Sequence, residues 1–360
     1  FSLIGMILLP ISVLLLIVVM FTGRINDAAR WISIAGIQFQ PSEFAKMAVV
    51  IVTAFILSKG RTEDGANPSA FKNIMIIAGT ICAIILPENF STAFLLFGVV
   101  FLMMYIGHVP LKKLGILVGS LFSVAIVGIA FLIITKDIDV PFMHRFDTWR
   151  TRIEKFVSNE EIAASEFDTD KDGQVAHARI AVATSHIIGK GPGNSVQRDF
   201  LSQAFSDFIF AIVIEELGLL GGAFVVFLYI CLLIRVGRIA KRCNRSFPAF
   251  LVIGIGLLLV TQAVFNMMVA VGLAPVTGQP LPLISRGGTS TIINCVYIGM
   301  LLSVSRYTAS IEQEELLRQA EVAPEKSAAV LLAEAVLAEN QAQSAEEPTS
   351  EVLNSDSEFE

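Results

Sequence analysis

The chain has 360 residues, of which 54% are hydrophobic and 16% charged, and its mean hydropathy is +0.70. Soluble domains carry roughly 25% charged residues, so this composition excludes an ordinary soluble fold and points to an all-α polytopic membrane protein. The net charge of -6 belongs to one end: from Thr308 onward thirteen acids face only Arg318 and Lys326, which leaves the remainder at about +5.

Ten-residue alternating segments of a transmembrane barrel are absent from the sequence. Cys82, Cys231, Cys243 and Cys295 lie far apart, without the paired spacing of a disulfide framework or zinc site. Nothing in the charge pattern suggests a nucleic-acid partner. The chain opens at Phe1, already inside an apolar run, which suggests a fragment.

In chain order, the first predicted span is Leu3–Phe21. A polar loop, Gly23–Pro41, follows, with Trp31 placed like an interfacial anchor. The second span, Ser42–Leu57, carries Glu43 and Lys46 in its first turn, three apart and able to pair. With Arg30 they form a polar cluster suited to an anionic headgroup. After the loop Lys59–Lys72, the apolar stretch Asn73–Tyr105 is too long for one span. Pro87-Glu88-Asn89 divides it, because proline breaks the helix ladder and Glu plus Asn are costly in lipid.

The loop His108–Lys113 leads to a span at Leu114–Ile134 and then to one large polar region, 136–206. Spans at Asp207–Ile234, Ala249–Leu273 and Gly288–Ser305 complete a total of eight. The domain expected from this pattern is 1–306, followed by an acidic, largely disordered tail at 307–360.

Arg235, Arg238, Lys241, Arg242 and Arg245 crowd one short loop without an acid, so that loop is expected on the cytoplasmic side. Counting outward puts the tail inside as well. Gly23–Pro41, Pro87–Asn89, 136–206 and Ala274–Gly287 then face outside, and the unusual polar motifs converge on that surface.

Each motif has two readings. Asp168-Thr-Asp170-Lys-Asp172-Gly173 matches the first half of an EF-hand loop, but Arg179 stands at the position of the bidentate Glu, which favours a plain acidic turn. Ile188-Gly-Lys-Gly-Pro-Gly-Asn-Ser195 is either a flexible loop or a cradle for a lipid diphosphate, assisted by Lys190. Pro275 to Ser290 packs three prolines and three glycines between two spans. Irregular backbone at membrane depth survives only when buried in protein or lining a cavity, and the apolar residues in the stretch favour a re-entrant loop shaping a pocket over a plain outer loop. Gln262 and Asn266, four apart on the preceding span, are expected to bond a neighbouring helix. Asp207, Glu215 and Glu216 lie on or beside an apolar segment; acids there mark function or a protein-facing groove.

Three ordered blocks resemble the SEDS family. They are Ala29-Arg30-Trp31-Ile32 with Gln40-Pro41-Ser42-Glu43-Phe44-Ala45-Lys46, then Ser206-Asp207-Phe208-Ile209-Phe210-Ala211 with Glu215-Glu216-Leu217-Gly218, then Pro275 to Ser290. Gly193-Asn194-Ser195-Val196-Gln197 is similar to the division branch of that family rather than the elongation branch. The resemblance implies a ten-helix fold, so two N-terminal helices are expected to be absent here. It also implies polymerisation of lipid II into glycan strands beside a class B penicillin-binding protein and other divisome proteins, in the bacterial cytoplasmic (inner) membrane and among its lipids.

Under the resemblance Asp207 falls on the essential aspartate and serves as general base. Arg30, Glu43, Lys46, Arg152, Lys190, Ser285 and Arg286 are the expected substrate contacts. Trp31, Pro41, Glu215, Glu216, Gly278 and Pro282 are expected to shape or line the groove. A divalent cation, Mg or Mn, is an expected helper for the diphosphate. The chain departs from the family pattern at Gln203, where an acid is usual, at Glu88-Asn89-Phe90-Ser91, and at Arg286, where Tyr is common. A lipid II flippase and a non-catalytic division scaffold are the alternative functions.

Overall fold

The computed structural model describes residues 1–21, 32–34, 37–60, 66–134, 172–201 and 204–345. Nine α-helices lie within them: α1 (Ser2–Phe21), α2 (Pro41–Ser58), α3 (Ala70–Ile85), α4 (Phe90–Ile106), α5 (Leu111–Ile134), α6 (Asp172–Ala183), α7 (Ile209–Arg242), α8 (Ser246–Ala270) and α9 (Gly288–Ala345). Each of the eight apolar runs is therefore helical, and α6 is an additional helix from the large polar region. By length and composition, α1, α2, α7, α8 and the first part of α9, Gly288–Arg318, can each cross a membrane. The shorter α3 and α4 are apolar as well. A small hairpin, β1 (Ile32–Ile34) against β2 (Ile37–Phe39), precedes α2, with Ile32 opposite Phe39.

The turn at Pro87–Asn89 has a simple cause. α3 stops at Ile85, and Asn89 caps α4 by accepting a bond from Thr92 N–H at 3.2 Å. That side-chain bond satisfies one of the orphan donors every helix start carries. Pro41 opens α2 at a position where its missing N–H is harmless.

α2 is the axis of the bundle. It packs against α1, α3, α4 and α8, and its apolar residues Ala48, Val49, Val50 and Ala54 are fully buried. A helix apolar on every side needs neighbours on every side. Its core continues through Leu96, Val99 and Met103 of α4, Leu251 and Ile255 of α8, and Tyr297 of α9.

α7 is broken rather than straight. Gly218 takes φ 73° and ψ −173° in mid-helix, which leaves neighbouring backbone groups without intrahelical partners. The segment after α6 fills the break. Lys190 and Gly191 N–H donate to the Glu215 and Glu216 carbonyls at 3.0 and 2.8 Å, while Leu219 and Leu220 N–H donate to His186 and Ile187 at 3.2 and 3.3 Å. The glycine-rich stretch is thus a plug in a broken helix. A second core, built from Ala178, Ala181, Leu201, Phe208, Ala211, Ile214 and Leu281, lies beneath this region.

Two compact units are formed, Phe1–Ser305 and Arg306–Glu360. The last helix continues past the apolar run, through Arg306 to Ala345, over a stretch rich in Ala, Glu and Leu, all strong helix formers.

Candidate active site

The segment before α7 does not join the helix. Ala211 and Ile212 N–H both bond to the Phe208 carbonyl, at 3.0 and 3.3 Å. Asp207 therefore sits outside the helical ladder, and the carbonyls of Phe205, Ser206 and Asp207 need other donors. Each finds one. Arg286 N–H donates to Phe205 O at 2.8 Å, Ser285 Oγ to Ser206 O at 2.6 Å, and Asn266 Nδ2 to Asp207 O at 2.8 Å. Three successive carbonyls are clamped by α8 and by the loop that follows it.

The Asp207 side chain is half-buried, and Ser206 Oγ donates to its Oδ1 at 2.8 Å. The apolar run predicts a span from Asp207 onward. The helix starts two residues later because the preceding backbone is held by tertiary donors.

The clamping loop is itself held tightly. Asn266 Nδ2 also donates to Gln279 O at 2.8 Å, Gln262 Nε2 to Pro280 O at 3.0 Å, and the Tyr229 hydroxyl to Pro282 O. Gln279 Nε2 reaches Thr92 Oγ1 of α4 at 2.6 Å, and Ser285 Oγ accepts from Leu281 N–H at 2.7 Å. Gly278 turns the chain at φ 67°, a conformation natural to glycine. Gln279, Leu281 and Pro282 are buried, so the middle of this irregular backbone is held inside protein, while Leu283, Ile284 and Arg286 are exposed.

Behind the loop stands an ion pair. Lys46 Nζ lies 2.7 Å from Glu43 Oε1 and donates to Gln262 Oε1 at 2.9 Å. Both charged side chains are buried, at 0% and 3% exposure, and their link to Gln262 carries the α2 charge pair to the loop. The pair is thus joined through Gln262 to Pro280 O, in the loop that clamps the Asp207 segment.

Glu215 is fully buried and gathers four donors: Lys190 Nζ at 2.6 Å, Ser195 Oγ at 2.5 Å, and Val196 and Gln197 N–H at 3.2 and 3.3 Å. It anchors the glycine-rich plug. Glu216 is half-buried and contributes its carbonyl to the same plug. Lys190 also touches Thr184 Oγ1 at 3.2 Å.

The structure therefore brings Asp207, Ser285 and the Arg286 backbone into one cluster, with Pro282 and Gly278 in the supporting loop. Glu43 and Lys46 lie behind it. Lys190, Glu215 and Glu216 form a separate cluster at the α7 break. Pro41 opens α2. Arg30, Trp31, Arg152, Gln203, Asp168 and Asp170 lie outside the described residues. The Arg286 side chain is exposed. Asn266, Gln279, Thr92 and Tyr229 were not singled out by sequence as site residues, although amides and a tyrosine in apolar spans are a readable signal of buried bonding. Among the described residues no three His, Cys, Asp or Glu side chains gather into a metal-ligand set.

Residues 2–310 match the family model for FtsW, RodA and SpoVE, described as a cell cycle protein. The chain belongs to the FtsW/RodA/SpoVE family. A family relative from Hahella chejuensis, named probable peptidoglycan glycosyltransferase FtsW, is 33% identical over 316 residues, covering 86% of this chain and 75% of the relative. A relative of the same name from Halomonas elongata is 32% identical over 319 residues, covering 86% and 76%. Among solved structures, a chain of a peptidoglycan synthase complex that coordinates polymerization and crosslinking aligns with a TM-score of 0.65 at 25% identity, over 85% of this chain and 82% of that one. The rod-shape-determining protein RodA of Thermus thermophilus aligns with a TM-score of 0.55, also at 25% identity, over 85% and 78%.

Proposed function

We propose that this multi-pass membrane protein is a peptidoglycan glycosyltransferase that polymerises lipid II into glycan strands for the division septum, with Asp207 as general base. The observation that carries the catalytic assignment is the clamped, non-helical backbone at Ser206 and Asp207. It holds a half-buried carboxylate outside the helix, on a cluster of irregular loops. FtsW-named relatives at about a third identity support the reaction class.

In the proposed reaction, the 4-hydroxyl of the acceptor sugar attacks the anomeric carbon of a chain linked to undecaprenyl diphosphate. The new C–O bond forms as the anomeric C–O bond to diphosphate breaks, with inversion. Asp207 takes the hydroxyl proton as the bond forms, which needs only a carboxylate within hydrogen-bond reach. Diphosphate leaves without prior protonation, so no second acid is required; its charge needs cationic partners. The exposed guanidinium of Arg286 is the proposed partner among the described residues, with Arg30 and Arg152 as further candidates. A Mg or Mn ion is proposed only as a companion of the diphosphate, entering with the substrate.

The site is proposed to face the outside of the bacterial inner membrane, with the acidic tail in the cytoplasm. A class B penicillin-binding protein is the proposed partner, because the aligned synthase complex couples polymerization to crosslinking. The test is strand formation from purified lipid II by the chain with that transpeptidase. Asp207→Asn should slow polymerisation by about 10²–10⁴-fold, the usual contribution of a general base. Normal strand formation by the variant would remove Asp207 from that role. If the protein instead moved lipid II across vesicles while forming no strands, the transporter reading would replace this one.

A further inference from the structure

We propose that Ser285 and Asn266 are positioning residues for the transfer reaction, acting on Asp207 through the backbone carbonyls beside it. The inference rests on Asp207 being the base. Ser285 comes from the loop after α8 and Asn266 from α8 itself, yet both end on the same two-residue segment. Ser285 Oγ donates to Ser206 O at 2.6 Å, and Asn266 Nδ2 to Asp207 O at 2.8 Å.

The two bonds fix complementary quantities. The Asp207 carbonyl is not used by the α7 ladder, whose first bonds run to Phe208 O. Asn266 therefore sets where the Asp207 peptide lies. Ser285 fixes the peptide of Ser206, whose own hydroxyl donates to Asp207 Oδ1 at 2.8 Å. Through Ser206, Ser285 sets the direction from which that carboxylate oxygen is approached.

Neither residue is arranged to touch substrate directly. The Ser285 hydroxyl donates to Ser206 O and accepts from Leu281 N–H at 2.7 Å, so its donor role is filled inside the protein. The Asn266 side chain is buried, with its amide nitrogen shared between Asp207 O and Gln279 O, both at 2.8 Å. A base displaced by about 1 Å loses about 10²-fold in rate, while substrate affinity built from other contacts is untouched.

The experiment measures kcat and KM for lipid II polymerisation by the full chain with its transpeptidase, for Ser285→Ala, Ser285→Thr, Asn266→Ala and Asp207→Asn. The expected result for Ser285→Ala and Asn266→Ala is a fall in kcat of about 10–100-fold with KM within about threefold. Ser285→Thr keeps the hydroxyl and should recover most of the rate. Because a positioning residue matters only through the base it positions, adding Ser285→Ala to Asp207→Asn should leave the residual rate of Asp207→Asn unchanged. The combined variant also separates positioning from a general loss of folded protein, which would lower the residual rate further. The inference is overturned if Ser285→Ala raises KM with kcat intact, if Ser285→Thr is no better than Ser285→Ala, or if the combined variant is slower than Asp207→Asn. If Asp207→Asn polymerises normally, the base assignment fails first, and the inference falls with it.

Discussion

Lys190 bonds to Glu215 twice. Its ammonium meets Oε1 of the carboxylate at 2.6 Å, and its backbone N–H donates to the Glu215 carbonyl at 3.0 Å. One buried acid thus closes the glycine-rich plug at both side-chain and backbone level, and Ser195, Val196 and Gln197 complete its shell. The two partners are not equivalent. Glu215→Ala leaves a hydroxyl and two backbone donors unpaired, at about 1–3 kcal/mol each, while the Lys190 ammonium, 30% exposed, turns to water. Lys190→Ala takes the cation from a fully buried carboxylate but leaves its three other donors in place, so a smaller loss of about 1.5–3 kcal/mol is expected. Thermal unfolding in detergent reads the difference; equal shifts for the two variants would show that Glu215 is not the anchor.

The helix break makes a second contrast available. A Cβ on Gly218 would overlap the Ile187 carbonyl, and one on Gly189 would overlap the Glu216 carbonyl, both backbone atoms that cannot swing aside. Gly193 shares a positive φ, 80°, but a Cβ there would meet nothing within 4 Å. Gly193→Ala should therefore cost about 1 kcal/mol, the left-handed penalty alone. Gly218→Ala and Gly189→Ala must also separate the plug from α7, losing several backbone bonds at about 1 kcal/mol each. Limited proteolysis of the 186–197 segment is the sensitive readout. Protection of Gly218→Ala equal to that of Gly193→Ala would sink the proposed close approach.

The helices were legible because their signals are local. Apolar runs, the Pro87 break and the basic 235–245 loop each depend on neighbours in sequence, and all eight runs are helical. The pairing of Glu43 with Lys46 was legible for the same reason, since three residues on a helix bring side chains together. The Gly218 break was not. Glycine within an apolar helix is ordinary, and what unwinds this one is a segment some thirty residues earlier, whose N–H groups compete for the Glu215 and Glu216 carbonyls. The clamp on Asp207 was hidden likewise: Gln262 and Asn266 read as helix-bonding amides, and Gln262 does bond Lys46 of α2, but only the tertiary fold shows that both also donate to loop and site carbonyls.

Tyr229 offers a test of how firmly the clamping loop is held. Its hydroxyl donates to Pro282 O from a buried position on α7. Tyr229→Phe keeps the ring packing and deletes one donor, leaving the carbonyl unpaired at a cost of about 1–2 kcal/mol. A lowered unfolding temperature is expected, together with faster hydrogen exchange at Leu281 and Ser285 N–H. Unchanged exchange in that loop would mean the bond does not restrain it.

The Glu43–Lys46 pair allows a sharper experiment, because removing one charge differs in kind from removing both. Lys46→Met leaves the Glu43 carboxylate buried without its cation, and Gln262 Oε1 without its donor. The expected loss is about 3–5 kcal/mol, mostly the cost of the stranded charge. Replacing both partners, Glu43→Leu with Lys46→Met, removes that charge and substitutes apolar contacts of similar volume in a fully buried helix. What remains is the unpaired Gln262 oxygen, worth about 1–3 kcal/mol. The double variant should therefore unfold at a higher temperature than Lys46→Met alone. If it is the less stable of the two, the pair stabilises the bundle through its mutual attraction, and the cost of an uncompensated charge is the lesser effect.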